Sequence, residues 1–325
     1  MTGGTILERK PDLEDIRTAH KLIRPYVHRT PVLTCSSIDK ILGVRLYFKC
    51  ENFQKVGAFK FRGATNALFS LDDKTAAKGV VTHSSGNHAA ALSLAACKRG
   101  IRAYIVMPSN APAVKISAVK NYGGNITFCE PTLESRETTA EKIISKTDAT
   151  MIHPFNNYEI IAGQGTAALE LLAEIDNLDY ILAPVGGGGL LSGTALTVKE
   201  MKPDIKVIGG EPKNADDAYR SKKAGKIIPS NNPNTIADGL KTSLGNKTFP
   251  IIRDYVDDII LATEQEIIRA MQLIFERMKI VVEPSSAVPL AALFDNPLRD
   301  SQKKIGIILS GGNVELKKFF DQLNS

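Results

Sequence analysis

The sequence has little sulfur and few aromatic residues. It contains no tryptophan, aromatic residues make up 6% of its 325 residues, and the four cysteines stand at positions 35, 50, 97 and 129. These cysteines form neither a CxxC pair nor a cysteine and histidine cluster with zinc spacing. We therefore expect reduced, mostly buried thiols and neither a disulfide framework nor a zinc site.

Long apolar runs are also absent. The stretch from Ala89 to Cys97 is interrupted by Ser93 and followed by Lys98 and Arg99, whereas a membrane helix needs roughly 20 apolar residues. The first residues lack the apolar core of a secretory signal. The sequence therefore predicts no membrane span, and we expect a cytoplasmic protein.

Charge of one sign is not concentrated anywhere along the chain. The formal net charge is +6 and the pI is near 9.0, but the 41 Lys and Arg residues are dispersed among 35 Asp and Glu residues. Nucleic-acid-binding proteins usually cluster their basic residues in a stripe or patch. The composition therefore predicts a mildly basic surface and no nucleic-acid partner.

Short apolar runs alternate with helical patterns along most of the chain. This alternation, with 43% hydrophobic residues, predicts an α/β fold with largely parallel sheets. The predicted strands are Leu46 to Phe48, Gly79 to Thr82, Ala103 to Met107, Asn125 to Phe128, Tyr180 to Val185, Lys206 to Gly209 and Ile305 to Leu309. The predicted helices include Asn87 to Arg99, Ala113 to Asn121, Glu134 to Lys146, Gly165 to Glu174 and Glu264 to Met278. We expect a small inserted domain over 79–155 and a large discontinuous one over 1–78 and 156–325.

Four consecutive glycines follow one of the predicted strands. Gly186, Gly187, Gly188 and Gly189 stand between the strand that ends at Val185 and a predicted helix. Such a turn exposes backbone N–H groups and the positive end of a helix, which favours an anion. The chain has no GxxxxGK[ST] motif, and its glycines do not fit GxGxxG. The turn therefore predicts a phosphate site, with a purely structural turn as the alternative.

A lysine lies between two aromatic residues at the start of a probable helix. Lys60 is flanked by Phe59 and Phe61, and a lone lysine in such a place is usually a surface residue. Apolar neighbours can instead lower the pKa of the amine, which then forms imines with carbonyl compounds. Lys60 is therefore a candidate for binding a carbonyl cofactor.

Two further loops carry polar residues after predicted strands. In the first, Ser84 or Ser85 could simply cap the helix that follows, or the loop could bind a substrate carboxylate while Asn87 contacts a cofactor. We interpret His83 and His88 as packing groups and not as bases. In the second, Ser310 ends a predicted strand; taken alone, that motif is no more specific than an ordinary turn.

Together these segments resemble a known family. The runs ENFQKVGAFKFRGA, HSSGNHAAAL, VGGGGLLSG and LSGGNVEL closely resemble the fold-type II pyridoxal-phosphate (PLP) enzymes, which include serine and threonine dehydratases, tryptophan synthase β and cysteine synthase. The resemblance extends from about Pro31 to Asn313. It implies a tryptophan synthase β-like fold of two three-layer α/β/α domains with mostly parallel sheets, and PLP as cofactor.

The resemblance also implies how the cofactor is held. Lys60 would bind it as an imine and Phe59 would flank its ring. Asn87 would contact the 3′-oxygen, Gly186 to Gly189 would bind the phosphate, and Ser310 would meet the pyridine nitrogen. A neutral serine does not enforce protonation of the ring, which suits short-lived carbanions.

The activity implied is racemisation of serine with accompanying α,β-elimination to pyruvate and ammonia. Lys60 would serve one face of the α-carbon and Ser85 the other, while Ser84, Ser85, Gly86, Asn87 and His88 would bind the substrate, a small hydroxy amino acid. A dehydratase for serine, threonine or 3-hydroxyaspartate remains open. So does a non-catalytic ligand-binding protein with the same fold.

The remaining implications concern a metal and a nucleotide. Spacing alone favours surface charges at Glu211 and Asp217, but the resemblance implies that both, with the carbonyl of Ala215, bind Mg²⁺, Ca²⁺ or Mn²⁺. It also implies a homodimer with an ATP site between its subunits, at Lys55, Tyr122, Lys279 and Asn313. Val56 and Phe155 depart from the related sequences, in which threonine and asparagine are common.

Overall fold

The computed structural model describes residues 7–299 and 302–323, which form two β-sheets surrounded by helices. The strands are β1 (Val32–Leu33), β2 (Arg45–Cys50), β3 (Val80–His83), β4 (Ala103–Pro108), β5 (Asn125–Cys129), β6 (Thr150–Met151), β7 (Tyr180–Pro184), β8 (Lys206–Pro212), β9 (Asp258–Ala262) and β10 (Lys304–Leu309). The α-helices are α1 (Leu13–Ile23), α2 (Ser36–Leu42), α3 (Lys60–Phe69), α4 (Asp73–Ala77), α5 (Asn87–Arg99), α6 (Ala113–Asn121), α7 (Leu133–Thr147), α8 (Tyr158–Glu174), α9 (Gly189–Met201), α10 (Asp217–Ala224), α11 (Thr248–Tyr255), α12 (Glu264–Leu273), α13 (Pro284–Ala291) and α14 (Leu316–Leu323).

The larger sheet has six strands in the order β1-β2-β10-β7-β8-β9. Its neighbouring strands are parallel except for β1 and β2. At its centre, Ile307 of β10 lies opposite Phe48 of β2 and Leu182 of β7, and all three are fully buried. Such continuously apolar strands are typical of parallel sheets covered by helices on both faces. The structure confirms the predicted α/β class with mostly parallel sheets.

The smaller sheet has four parallel strands in the order β5-β4-β3-β6. All four lie inside the 79–155 segment for which a small domain is expected, and the exact domain boundaries stay a prediction. Its helix α5 contains five alanines, four of which are at most 1% exposed. Small side chains let α5 pack closely against α3, which carries Lys60 at its first position. The two sheets therefore meet next to this lysine.

Two helices begin with capping residues that the sequence supplies locally. The side chain of Asp12 accepts hydrogen bonds at the start of α1 while Asp15 reaches back, and Thr263 and Glu266 form the same capping box at the start of α12. The predicted helix over Glu264 to Met278 is interrupted, because α12 ends at Leu273 and a π-helical turn follows over Ile274–Met278.

No helix in the described part of the chain is long and apolar enough to cross a membrane. All four cysteines are free; Cys35, Cys50 and Cys129 are buried and Cys97 is exposed.

Candidate active site

The segment that leads into Lys60, the first residue of α3, is fixed to the end of β10. The backbone N–H of Phe59 donates to the carbonyl of Ser310 at 2.9 Å, and Ala58 forms a β-bridge with Gly311. These contacts hold the first turn of α3 against the carboxyl end of the central strand. In parallel sheets, that edge is where ligands usually bind.

The side chain of Lys60 is half-buried. It donates a hydrogen bond to the carbonyl of Pro154 at 2.8 Å and lies 5.1 Å from the centre of the Phe59 ring. Burial lowers the pKa of this amine to about 8, although the negative charge of Glu283 acts in the opposite direction. The neutral amine is the form that attacks a carbonyl carbon. Lys60 is therefore suited to imine chemistry.

The four-glycine turn lies beside the same segment. The strand β7 ends at Pro184 and α9 begins at Gly189, and a Cβ on Gly187 would lie 2.3 Å from the ring of Phe155, the neighbour of Pro154. Pro154 and Phe155 thus connect the lysine amine to the turn. The structure brings together the two features that the sequence predicts as separate motifs.

Glycine is required in this turn for space and for backbone conformation. Gly188 has a φ of 89°, and a Cβ on Gly186 would lie 2.8 Å from the Cα of Leu240. The turn leads directly into α9, whose first N–H groups have no acceptor within the helix. It is therefore a cradle that can take up an anionic group.

The serine-containing loop joins β3 to α5. The helix starts at Asn87 with Gly86 at the N-cap and no side-chain capping bond, so neither Ser84 nor Ser85 caps it. The Ser84 hydroxyl accepts a bond from the N–H of Gly86 at 3.3 Å. The hydroxyl of Ser85 forms no hydrogen bond with any described residue. The capping interpretation is therefore wrong, and Ser85 is left with its hydroxyl unengaged.

The histidines on either side of this loop contact residues near the end of the 79–155 segment. His88 is buried, and one of its ring nitrogens (Nε2) lies 3.2 Å from the carbonyl of Ile152. The ring of His83 meets that of His153 edge-on at 5.9 Å. Burial lowers the pKa of all three imidazoles, that of His153 to about 4. At neutral pH they are uncharged.

Polar side chains join the start of α5 to the larger sheet. The amide of Asn87 donates to the two carboxylate oxygens of Glu283 at 2.9 and 3.1 Å, and its oxygen accepts from Asn313 at 2.9 Å. Burial raises the pKa of Glu283 to about 7, while the bond from Asn87 opposes this shift. Ser310, next to this group, is 2% exposed.

Comparisons with known proteins agree with this geometry. Residues 23–311 match the model of the family described as "Pyridoxal-phosphate dependent enzyme". The chain belongs to this family.

Individual relatives of this PLP enzyme match over nearly their whole length. A serine racemase of Dictyostelium discoideum is 54% identical over 96% of this chain and 98% of the relative. A beta-hydroxyaspartate dehydratase of Paracoccus denitrificans is 51% identical over 95% of this chain and 98% of the relative. The solved structure of maize serine racemase is 50% identical with a TM-score of 0.94, covering 97% of this chain and 98% of that one. The predicted fold type is confirmed.

The residues present fit the cofactor of the family. A half-buried amine of lowered pKa is available for the aldehyde of PLP, and the first backbone N–H groups of α9 are available for its phosphate. The buried hydroxyl of Ser310 suits a neutral ring nitrogen. The aldehyde, the phosphate and the ring nitrogen of PLP therefore each have a matching group at this edge of the sheet.

Two acidic residues form a separate buried pair at the end of β8. Both oxygens of Glu211 accept backbone N–H bonds at 2.8 Å, from Ala218 and Tyr219. Neither carboxylate oxygen of Asp217 has a partner at hydrogen-bond geometry, although the nearby Ser230 acts to lower its pKa. Burial raises the pKa of Glu211 to about 8 and that of Asp217 to about 6. An unpartnered buried carboxylate of this kind suits a cation with oxygen ligands.

The residues expected at a nucleotide site are only partly brought together. Tyr122 and Asn313 line a cavity of about 560 Å³ between the two sheets. Lys55 lies beside it, with its amine bonded to the carbonyl of Tyr26. Lys279 is not among the lining residues.

Sequence reasoning missed Glu283 and Pro154. Glu283 stands alone between Val282 and Pro284, and a single carboxylate in an apolar run is the one signal that could have drawn attention to it. Pro154 contributes only its backbone carbonyl, for which side-chain motifs give no signal.

Proposed function

We propose that the chain is a PLP-dependent serine racemase that interconverts L- and D-serine and also eliminates serine to pyruvate and ammonia. The observation that carries the proposal is the half-buried amine of Lys60, with its lowered pKa, beside the glycine turn. The names of the relatives from Dictyostelium and maize support serine as substrate.

In this proposal, the residues around the amine hold the cofactor. Gly186 to Gly189 bind its phosphate, Phe59 flanks the ring, Asn87 contacts the 3′-oxygen and Ser310 meets the ring nitrogen. Bound PLP supplies an aldehyde for the amino group of the substrate and a ring that takes up the electrons left when the α-proton departs.

Two side chains move protons in the proposed reaction. The Nζ of Lys60 removes or returns the proton on one face of the α-carbon, and the Oγ of Ser85 does so on the other. Lys60 begins α3 and Ser85 lies in the loop that follows β3 of the smaller sheet, so they belong to different parts of the fold. Gly57 and Gly86, close to them in sequence, line the same cavity. Ser84, Gly86, Asn87 and His88 complete the substrate loop, where backbone N–H groups bind the carboxylate.

Chiral product analysis tests the proposal. L-serine, D-serine, L-threonine and 3-hydroxyaspartate are each incubated with the enzyme, and both serine enantiomers and the keto-acid products are quantified. We expect D-serine and pyruvate from L-serine. We also expect Lys60→Ala to lose both products together with the visible absorption of the bound cofactor.

The second candidate is a dehydratase, which the 51% identity with beta-hydroxyaspartate dehydratase favours. Keto acid formed from 3-hydroxyaspartate or threonine, without any D-serine from L-serine, would establish this candidate and reject the racemase.

Ser85→Ala separates the two reactions of the proposed mechanism. Loss of the β-hydroxyl needs proton removal on one face only, so pyruvate formation should decrease by less than about tenfold while D-serine formation decreases by about a hundredfold or more. Equal losses in the two product assays would contradict the assignment of Ser85.

Further parts of the proposal concern ligands and assembly. Glu211, Asp217 and the carbonyl of Ala215 bind Mg²⁺, or Ca²⁺ or Mn²⁺. ATP binds near Lys55, Tyr122, Lys279 and Asn313. The enzyme is a cytoplasmic homodimer. The unpartnered oxygens of Asp217 support the metal, and the resemblance to the family supports the nucleotide site.

A further inference from the structure

The segment that carries Lys60 is built from short helical turns and the start of α3. It runs from Glu51, directly after β2, to Arg62 in the first turn of α3, and we name residues 51–62 the lysine loop. It contains two short 3₁₀ turns, and Val56 has a φ of 57°. A β-branched residue in the left-handed region is disfavoured by about 1–2 kcal/mol and persists only where its surroundings hold it.

The two ends of the lysine loop are joined by an ion pair. The guanidinium of Arg62 donates to both carboxylate oxygens of Glu51, from Nε at 2.7 Å and from Nη2 at 2.8 Å. Both side chains are fully buried. Two parallel bonds between planar groups fix orientation as well as distance.

A second carboxylate binds Arg62 from outside the loop. Glu170 of α8 accepts from Nη1 at 2.9 Å and from Nη2 at 2.8 Å, and it also binds the amine of Lys49 at 2.6 Å. Two cations and two anions thus share the buried cluster, so neither carboxylate is left with an unpaired charge. Glu51 and Glu170 make equivalent contacts with Arg62, but only Glu51 belongs to the lysine loop.

We infer that the ion pair between Glu51 and Arg62 closes the lysine loop and thereby positions the amine of Lys60 for the proposed reaction. Glu51 and Arg62 are positioning residues, because neither is placed among the groups that hold the cofactor or substrate. The inference rests on the proposed function for its catalytic consequence. The closure of the loop can be measured independently of any product.

The matched variants are Glu51→Gln and Glu170→Gln. Each removes one negative charge from the same cluster and weakens one of two equivalent contacts with Arg62, so both should lower the melting temperature. Only Glu51→Gln releases the end of the loop. Glu170 also binds Lys49, so a purely structural role of the cluster would disturb the exchange at Phe59 at least as much in Glu170→Gln as in Glu51→Gln.

Amide hydrogen exchange of the PLP-loaded enzyme reports on the loop itself. The N–H of Phe59, bonded to the carbonyl of Ser310, is the reporter next to Lys60. We expect its exchange to be about tenfold faster in Glu51→Gln and within roughly twofold of the unchanged enzyme in Glu170→Gln. The visible circular dichroism of the bound cofactor should weaken in Glu51→Gln alone.

Equal changes in the two variants, or unchanged exchange at Phe59 in Glu51→Gln, would overturn the inference. If Glu51→Gln does not fold, Glu51→Asp replaces it; this variant keeps the charge but is too short to reach both nitrogens of Arg62, and unchanged Phe59 exchange there would overturn the inference equally. Failure of the unchanged enzyme to form D-serine would reject the proposed function and leave the exchange result intact.

Discussion

At the scale of single residues, the amine of Lys60 has one anionic neighbour of consequence. Burial disfavours its charged form and the carboxylate of Glu283 favours it, with burial the larger effect. The neighbouring His88 and His153 are neutral near pH 7, because burial lowers the pKa of both. The pKa of Lys60 is therefore set mainly by desolvation, which lowers it, and the charge of Glu283 raises it in part.

The reactivity of this amine should follow its lowered pKa. In the protein freed of cofactor, the neutral fraction rises with pH through a midpoint near 8, so the rate of PLP attachment, followed by visible absorbance, should rise around the same pH. Glu283→Gln removes the charge that raises the pKa and should move the midpoint to lower pH. A midpoint near 10.5, as for a free lysine, would contradict the role of burial.

The proposed catalytic side chains could be singled out from the sequence because they stand in short motifs next to strand ends. Lys60, Ser85 and the glycine turn are of this kind. The partners of these groups could not be predicted, because residues that bind each other, such as Asn87 and Glu283, are 196 positions apart in the chain. Pairing over such distances depends on which strands become neighbours, and local periodicity carries no information on that order.

At the scale of elements, the turn before α9 depends on close packing as much as on backbone freedom. A Cβ on Gly188 would lie 2.7 Å from Ile252, 2.9 Å from Leu244 and 2.9 Å from the Cβ of Thr248. Gly225 also has a positive φ, 68°, but nothing lies within 4 Å of a Cβ built there. A comparison of the two glycines therefore distinguishes backbone strain, which both positions share, from steric overlap, which occurs only at Gly188.

Gly188→Ala should destabilise the protein more than Gly225→Ala. Both carry the penalty of a left-handed alanine, about 1–2 kcal/mol, and overpacking adds roughly 1–3 kcal/mol at Gly188 alone. Denaturant unfolding of the cofactor-free protein measures the stabilities, and titration with PLP should show weaker binding for Gly188→Ala only. Equal stabilities and equal PLP affinities of the two variants would mean that the turn can rearrange to accommodate the added methyl group.

Element prediction succeeded for every central strand and missed three strands at the edges of the sheets. The predicted strands match β2, β3, β4, β5, β7, β8 and β10 to within a few residues. The strands β1 and β6 have only two residues each, and the edge strand β9 begins with Asp258. The interruption of the predicted helix after Leu273 also escaped detection, because its apolar residues keep a helical spacing through the π-helical turn.

At the scale of the whole molecule, the two sheets are connected around the site by polar contacts. Asn87 binds Glu283 and Asn313, and Lys115 of α6 pairs with Asp238 at 2.6 Å. Asp238 is 55% exposed on its side chain, so the last pair contributes little to stability. The buried cluster of Arg62, Glu51 and Glu170 begins two residues after Lys60 along the chain.

The acidic pair at Glu211 and Asp217 should couple ion binding to the stability of the whole molecule. Binding to the folded state alone adds about 2.7 kcal/mol when the ion is at 100 times its dissociation constant. We expect Mg²⁺ to raise the melting temperature by several degrees and a chelator to reverse this rise. Calorimetric scans with and without the ion provide the measurement.

Asp217→Asn provides a sharper test of the same pair. Because neither oxygen of Asp217 has a hydrogen-bond partner, removal of its charge should abolish the response to Mg²⁺ without lowering the melting temperature of the ion-free protein. Asp216→Asn is the control, since Asp216 is partly exposed and pairs with Arg220 at 2.8 Å; this variant should keep the response. If the unchanged protein melts at the same temperature with Mg²⁺ and with chelator, the ion site is ruled out. A buried carboxylate that binds no cation cannot make the melting temperature depend on the concentration of the ion.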